Sequence, residues 1–259
     1  MSRFPFIFVC PASRGLGFSL ARHYLRTTNF PVFATHRTGT STALREQILE
    51  GMQDVDPERL HLLRLELTSE ASIARAAASL SDLLPRNGAH LHTAFFAGGV
   101  LHPERRPEDF DAAAVLETFQ VNTISHLLCI KHFSRFLPRP SQDIGGTPAK
   151  WVHVSARVGS VSDNRLGGWY SYRASKAALN QVVHTFDLHL AQKRLPAICV
   201  GVHPGTVKTG LSKDFWNGVP KEQLFEPEYA AERLVEVVSG LHGNQRGKIW
   251  DWKGMEVKP

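Results

Sequence analysis

Tyr172 and Lys176 are the residues of this sequence whose types and spacing best suit proton transfer. On a helix, side chains at positions i and i+4 project from the same face, one turn apart. A tyrosine hydroxyl has an ordinary pKa of about 10, so it is a poor acid near neutrality. A nearby ammonium stabilises the phenolate and lowers that pKa, which makes Tyr172 a usable proton donor. The same spacing also fits an ordinary surface pair on an amphipathic helix, so the surrounding chain must decide.

The first predicted strand and the turn after it suit the binding of a pyrophosphate. The apolar run 6–10 is typical of a strand buried on both faces, and a helical pattern begins near residue 18. Between them lies the glycine turn, 11–17, with the sequence PASRGLG. Backbone N–H groups and the helix dipole would face an anion there. The alternative is a tight strand-to-helix connection that binds no ligand.

Two arginines favour NADP over NAD as the dinucleotide. A second strand is predicted over 31–36, and Arg37 follows it directly. In a nucleotide-binding βαβ unit, an acid at this place would hydrogen-bond the ribose hydroxyls and select NAD. Arg37, together with Arg14 of the glycine turn, would instead bind a 2′-phosphate, because a guanidinium matches phosphate geometry. The alternative is that both arginines are solvated surface residues.

Strands and helices alternate along the rest of the chain. Further strands are predicted at 60–67, 91–96, 151–155, 197–203 and 248–252, and helices at 41–53, 69–84, 107–137, 171–192 and 227–241. This alternation predicts an α/β fold with a single doubly wound parallel sheet, a Rossmann fold with helices on both faces. We interpret residues 1–259 as one dinucleotide-binding domain, with a substrate lid around 209–227.

Composition narrows the class of protein. Hydrophobic residues make up 42% and charged residues 21%, which is ordinary for a globular protein. Cys10, Cys129 and Cys199 are isolated in apolar runs, which predicts reduced thiols in a cytoplasmic protein and no metal site. The net charge of +6 comes from dispersed residues, which argues against nucleic-acid binding. No apolar stretch reaches the length of a membrane span, and 1–6 is typical of a first strand, not a signal peptide.

Taken together, these features resemble the short-chain dehydrogenase/reductase family over nearly the whole chain. The glycine turn, Asn122 in the fourth helix, Tyr-x-x-x-Lys at 172–176 and Pro-Gly-Thr-Val-x-Thr at 204–209 occur in the family's order. The stretch 159–180 is similar to the C-factor-like and sniffer-like carbonyl reductase branch. The resemblance implies an NADPH-dependent oxidoreductase that reduces a small-molecule aldehyde or ketone.

The resemblance also implies roles for the matching residues. Tyr172 would give its proton to the carbonyl oxygen, and Lys176 would bind the nicotinamide ribose and lower the pKa of the tyrosine. Asn122, an unfavourable residue inside a helix unless it is exposed or marks a kink, would hold a water that links Lys176 to solvent. A homodimer through the helices at 107–137 and 171–192 is a further expectation. The expected cofactor contacts are Ser13, Arg14, Gly15, Leu16, Gly17, Arg37, Glu66, Leu67, Ala97, Gly98, Tyr172, Lys176, Pro204, Gly205, Val207 and Thr209.

The sequence departs from the family pattern at three places. Pro11 replaces a glycine of the turn, and the Phe-Ala pair at 96–97 replaces two asparagines that brace the central strand. Ala156 stands where the family has its catalytic serine, so we expect the hydroxyl of Ser155 to orient the carbonyl, with Ser160 as the alternative. Because of Ala156, a non-catalytic NADP-binding sensor or scaffold protein is the competing hypothesis.

Overall fold

The computed structural model describes residues 3–259, so Met1 and Ser2, part of the predicted strand start, lie outside the described residues. The strands are β1 (Phe4–Cys10), β2 (Val32–His36), β3 (Leu60–Arg64), β4 (Ala89–Phe96), β5 (Ala149–Val154), β6 (Ala197–His203), β7 (Thr206–Val207), β8 (Leu224–Phe225), β9 (Ile249–Asp251) and β10 (Glu256–Val257). The helices are α1 (Gly15–Thr27), α2 (Ser41–Leu49), α3 (Glu70–Leu83), α4 (Ala112–Phe119), α5 (Ser125–Phe133), α6 (Tyr170–Gln192) and α7 (Pro227–Gly240).

Eight of these strands form one sheet in the order β10-β9-β6-β5-β4-β1-β2-β3. Its strands are parallel except for β10, which runs antiparallel to β9. The chain leaves β1 toward β2 on one side and returns to β4 on the other, so the connections diverge between β1 and β4. A crevice opens at the carboxyl ends of the strands at such a point. The predicted doubly wound α/β fold is confirmed.

Alternate residues of β1 pack on opposite faces of the sheet, because successive side chains of a strand point to opposite sides. Phe6 and Phe8 lie in a cluster built with α3, α5 and α6. Ile7 and Val9 lie in a second cluster built with α1, α2 and α7. Helices therefore cover both faces of the sheet, which explains why the sequences of β1 and β6 are nearly continuous apolar runs.

The predicted helix over 107–137 is interrupted. It consists of α4, a π turn over Gln120–Ile124 and α5, with short 3₁₀ turns on either side. The π turn lets the side chain of Asn122 leave the helix and bond the loop after β4. The third strand also ends at Arg64, earlier than predicted, because Glu66 accepts hydrogen bonds from the backbone and hydroxyl of Thr68 and forms a turn.

The expectation that no stretch reaches the length of a membrane span is wrong for one segment. The segment Ala112–Phe136, 25 residues long, is long and apolar enough to cross a membrane, judged by length and composition alone. It contacts α3 and α6, and 39% of its most apolar 18-residue window is buried. Core helices of globular proteins pass the same test. Packing within this chain therefore accounts for part of its apolarity, while Leu116, Ile124 and Leu127 stay exposed.

Candidate active site

The predicted catalytic pair lies in the first turns of α6. Both Tyr172 and Lys176 are buried, and Lys176 Nζ donates a hydrogen bond of 2.9 Å to the carbonyl oxygen of Val154. The same nitrogen lies 5.8 Å from the centre of the Tyr172 ring. A Cβ added to Gly159 would lie 2.8 Å from the backbone of Lys176, so the turn after β5 packs directly on this helix. The pair is therefore held between the end of β5 and α6.

Burial sets the acidity of both groups. It raises the pKa of Tyr172 to about 12 and lowers the pKa of Lys176 to about 7, because each charged form loses its hydration. The acceptor at Val154 is a neutral carbonyl, which offsets little of that cost. The pKa of Tyr172 is therefore raised, not lowered as expected from the sequence, because desolvation outweighs the nearby amine.

Asn122 joins the π turn to two other parts of the site. Its Oδ1 accepts from the backbone of Val100 (2.8 Å), and its Nδ2 donates to the carbonyl of Val100 (3.0 Å) and to Ser175 Oγ (3.1 Å). Thr123 Oγ1 donates to the carbonyl of Ser175 as well. Asn122 is 0% exposed, so it marks a kink and is not an exposed residue of a regular helix.

The loop after β4 approaches the site closely because it lacks side chains. A Cβ on Gly98 would overlap Leu67, a residue expected beside the adenine. A Cβ on Gly99 would lie 3.6 Å from Asn122 Oδ1 and 3.7 Å from Lys176 Nζ. The loop therefore lies between Leu67, on the predicted adenine side of the cofactor site, and the amine of Lys176.

The glycine turn is built to receive an anion at the start of α1. Within residues 3–259, the side chain of Arg14 makes no capping hydrogen bond to this helix, whose first turn contains no acidic residue. Its first N–H groups are therefore available to a phosphate. A Cβ on Gly17 would collide with the carbonyl oxygen of Pro11, and Gly15 has a φ of +56°. The turn forms despite Pro11, and its geometry fits a dinucleotide.

The other predicted cofactor contacts lie around this turn. Ala97 donates from its backbone to the carbonyl of Cys10 (2.6 Å), which places the loop after β4 beside the turn. Thr209 lies across from Gly15, because a Cβ there would be 3.0 Å from Thr209 Cγ2. Ser13 and Leu16 are half-buried in the turn and in the first turn of α1.

The segment over 204–209 forms the base of the predicted lid. Gly205 has a φ of +75°, and a Cβ there would overlap the ring of Phe225. The next two residues form β7, which pairs with β8, and Val207 is buried. Pro204 is half-buried before the turn. The pairing of β7 with β8 closes the loop between them at its base.

The predicted phosphate-binding arginine lies in a basic groove. Arg37 Nε lies 3.5 Å from Glu66 Oε2, and both line an open groove of about 810 Å³ together with Arg64 and Arg75. Of the residues that the structure describes, Arg14 is not among those lining it. Sequence reasoning missed Arg64 and Arg75. The parallel register of β2 and β3, which sets Arg64 opposite the last residue of β2, is the signal that identifies Arg64.

The hydroxyl of Ser155 is directed away from the expected position. Although β5 has ended before it, Ser155 Oγ donates a hydrogen bond of 2.6 Å to Asn180 Oδ1 of α6. Ser160 Oγ accepts from the backbone of Asp163 (3.1 Å) within a turn. Ala156 carries no hydroxyl. The expectation that Ser155 orients a carbonyl is therefore at odds with this geometry, because its proton already has a partner.

An aromatic wall beside Tyr172 was missed by sequence reasoning. Trp169 has a φ of 52°, unusual for a bulky residue, and its backbone donates to the carbonyl of Glu104 (2.6 Å). Its ring lies 6.2 Å from that of Tyr172 and 4.7 Å from that of Phe215 in the predicted lid. The carboxylate of Glu104 accepts from the backbone of Ser171 (3.3 Å) at the start of α6. Loop residues of this kind leave no periodic signal in a sequence.

Comparison with known proteins identifies the family. The model of the family described as short chain dehydrogenase matches residues 5–219. Since that match spans most of the sequence, the chain belongs to the short-chain dehydrogenase family of oxidoreductases. The resemblance seen in the sequence is confirmed.

Three similar proteins add detail. The chain is 34% identical to 1-hydroxy-2-glutathionyl-2-methyl-3-butene dehydrogenase of Rhodococcus sp. (strain AD45), over 71% of this chain and 74% of that protein. It is 33% identical to the C-signal protein of Myxococcus xanthus, over 58% and 81% of the two chains. Among solved structures, NADPH-bound carbonyl reductase from chicken fatty liver is 27% identical, covers 99% of this chain and 100% of its own, and has a TM-score of 0.83.

The buried lysine leads to a pH-dependent stability that a substitution should remove. The folded protein releases the Lys176 proton near pH 7, whereas the unfolded chain keeps it to about pH 10.5. The unfolded chain therefore binds more protons between these values, and stability rises with pH across that window. Lys176→Met should stabilise the cofactor-free protein by roughly 1–3 kcal/mol near pH 6, and this gain should shrink toward pH 10.

Urea unfolding at several pH values measures this difference. Lys193→Met is the matched control, because it makes the same substitution at an exposed lysine. A gain for Lys176→Met that stays constant from pH 6 to pH 10 would show that the lysine pKa is not lowered by burial.

Proposed function

We propose that this protein is an NADPH-dependent oxidoreductase that reduces an aldehyde or ketone. The observation that carries this proposal is the buried pair of Tyr172 and Lys176, which faces the loop after β4 at the crevice of the sheet. A proton donor and an amine are thereby held next to a turn that fits a dinucleotide. Two names agree with this chemistry: the Rhodococcus relative is a dehydrogenase of a hydroxy compound, and the chicken protein is a carbonyl reductase.

The residues present fit NADP. The uncapped start of α1 would bind the pyrophosphate, and the groove with Arg37 would bind the 2′-phosphate. Leu67 and Gly98 would enclose the adenine side, while Lys176 would bind the nicotinamide ribose. The chicken carbonyl reductase was solved with NADPH bound, which supports the same cofactor here. When bound, NADPH supplies the hydride for the carbonyl carbon.

Tyr172 donates the proton in the proposed reaction. As the carbonyl becomes an alkoxide, its oxygen takes the proton of the Tyr172 hydroxyl and leaves a phenolate. Protonated Lys176 stabilises that phenolate, which lowers the barrier to proton donation. Asn122 holds α6 through Ser175 and so keeps both groups in place; its part in a water relay stays a prediction.

The substrate side of the site is proposed to accept an apolar group. Trp169 and Phe215 present aromatic rings next to Tyr172. We propose that residues 209–227, closed at their base by β7 and β8, act as the lid of one dinucleotide-binding domain over 1–259. The three cysteines are free and buried, which supports a cytoplasmic protein.

A second function is favoured by the absent serine hydroxyl. Ala156 provides no donor for a carbonyl oxygen, and Ser155 already donates to Asn180. A protein that binds NADP without turnover, as a sensor or scaffold, would keep the dinucleotide site and lose this donor. The kinetic experiment below separates the two functions.

The assembly is proposed to be a homodimer. Leu116 of α4, Ile124 of the π turn, Leu127 of α5 and Leu188 of α6 are exposed apolar residues on the helices expected to pair, and Leu116 is 71% exposed. Sedimentation velocity at micromolar concentration should show a dimer, and Leu127→Glu should dissociate it by burying a charge. Leu83→Glu, on α3, is the matched control. A monomeric unmodified protein would contradict the proposal.

The cofactor preference should depend on Arg37. A hydrogen bond from a charged donor to a phosphate contributes about 1.5–3 kcal/mol, which corresponds to roughly tenfold or more in affinity. Arg37→Ala should therefore weaken NADPH binding by about tenfold and leave NADH binding nearly unchanged, as measured by calorimetry. Arg64→Ala tests the neighbouring guanidinium in the same way, and exposed Arg139→Ala is the control. Equal affinities of the unmodified protein for both cofactors would contradict the assignment.

The proton donor and the absent serine are tested together by kinetics. With NADPH and a panel of aromatic and aliphatic aldehydes and ketones, Tyr172→Phe should abolish reduction. Since Ser155 is bonded to Asn180, Ser155→Ala should change kcat little, whereas Ala156→Ser should raise it by about tenfold or more by adding an oxyanion donor.

Two results would revise this account. A loss of about a hundredfold in kcat for Ser155→Ala, with NADPH affinity unchanged, would show that Ser155 rotates and orients the carbonyl. If the unmodified protein binds NADPH but reduces no carbonyl of the panel, the non-catalytic sensor is the better assignment.

A further inference from the structure

A chain of hydrogen bonds runs through the core beneath the loop after β4. Trp151 Nε1 donates to His153 Nε2 (3.0 Å), and the Nδ1 atoms of His153 and His126 are 2.7 Å apart. At the far end, His126 Nε2 lies 3.4 Å from the carbonyl oxygen of Gly98. All three side chains are buried. None of them belongs to the catalytic residues described above.

The donors and acceptors of this chain permit one arrangement of protons. An indole N–H only donates, so His153 Nε2 must accept and its Nδ1 must carry the proton. That proton is donated to His126 Nδ1, which leaves the proton of His126 on Nε2, aimed at the carbonyl of Gly98. The indole N–H at one end and the Gly98 carbonyl at the other, which can only accept, require the same tautomers.

Both histidines are held neutral. Burial lowers the pKa of His126 to about 3, with a further contribution from the charge of Lys176. Burial also holds the pKa of His153 well below its usual range, together with His126 and Lys176. A second proton on either ring would break the chain, so neutrality preserves the single tautomer.

The loop needs an anchor from outside itself. Gly98 and Gly99 have no side chains to hold their conformation, and glycine backbones are the least restrained. At the same time the loop is in close approach to Leu67 on one side and to Lys176 on the other. Phe96, directly before the loop, stacks on Trp151 (4.6 Å between ring centres), so the same residues support its start and its carbonyl.

We propose that His126 is a positioning residue, which Trp151 and His153 orient as the Nε2–H tautomer so that it holds the Gly98 carbonyl and sets the loop after β4 for the cofactor. This inference rests on the proposed function in one respect, that the loop contacts NADPH. The tautomers themselves can be measured without cofactor or activity.

The first test is nitrogen NMR of the ¹⁵N-labelled, cofactor-free protein at pH 7.5. Protonated and unprotonated imidazole nitrogens are distinguished by their chemical shifts, and spectra of His126→Asn and His153→Asn assign the two rings. The proposal requires a proton on Nε2 of His126 and on Nδ1 of His153. The opposite tautomers, or a mixture, would overturn it whatever the protein catalyses.

The second test compares two amides at position 126. The glutamine amide of His126→Gln reaches the place of Nε2 and can donate to the Gly98 carbonyl, whereas that of His126→Asn ends near Nδ1. NADPH affinity, measured by calorimetry, should stay within about twofold for His126→Gln and fall about three- to tenfold for His126→Asn. In an active enzyme the KM for NADPH should rise more than kcat falls. Equal affinities of the two variants would overturn the positioning role.

The third test changes Trp151, which bonds His153 and not His126. Trp151→Phe removes the donor at one end and leaves only the longer bond to the Gly98 carbonyl (3.4 Å) to select the tautomers, so both rings should show mixed protonation and NADPH should bind about two- to fivefold more weakly. Trp250→Phe is the matched control, because it removes the indole of Trp250 in β9, which donates to the carbonyl of Gln245 (3.1 Å). Unchanged tautomers in Trp151→Phe would show that Trp151 does not orient the histidines. If the unmodified protein binds no NADPH, the proposed function fails while the NMR result still decides the tautomers.

Discussion

One buried amide connects the parts of the site. Asn122 satisfies both backbone groups of Val100 and also donates to Ser175, so the π turn, the loop after β4 and α6 are joined through a single side chain. A buried donor or acceptor left without its partner costs about 1–3 kcal/mol, which makes this arrangement hard to distort. The position of Tyr172 and Lys176 relative to the loop follows from it, since both lie within one turn of Ser175.

The site carries an electrostatic cost in the cofactor-free protein. The amine of Lys176 is buried against a neutral carbonyl, and the hydroxyl of Tyr172 is buried beside it, so each is hardest to charge where the proposed chemistry needs charge. Functional sites often retain such locally unfavourable groups, and the rest of the fold compensates for them. Here the compensation comes from a sheet whose strands are apolar on both faces.

Local patterns predicted much of this structure, whereas side-chain directions set by tertiary contacts were not predictable. The strand over 197–203 was predicted from an apolar run, and the pair at 172 and 176 from its helical spacing. The structure contains both the strand and the pair on one helix. Asn122 indicated a kink as one of two alternatives, but a π turn could not be read from the sequence, because it depends on a bond between Asn122 and a distant loop. The direction of Ser155 likewise depends on Asn180 across the strand–helix interface. Loop residues such as Trp169 carry no periodic signal at all.

Two departures from the family pattern, at Phe96 and at Ala156, have different surroundings in the structure. Phe96, one of the two residues that stand in place of the family's asparagines, lies directly opposite His153 in the register of β4 and β5. A new chain of bonds through Trp151, His153 and His126 can therefore reach the same loop. Ala156 lies beyond the end of β5, where the adjacent hydroxyls already bond within their own surroundings. Bonds from His126 and Asn122 thus hold the loop after β4, whereas the hydroxyls of Ser155 and Ser160 are bonded elsewhere, so the proposed chemistry depends on Tyr172.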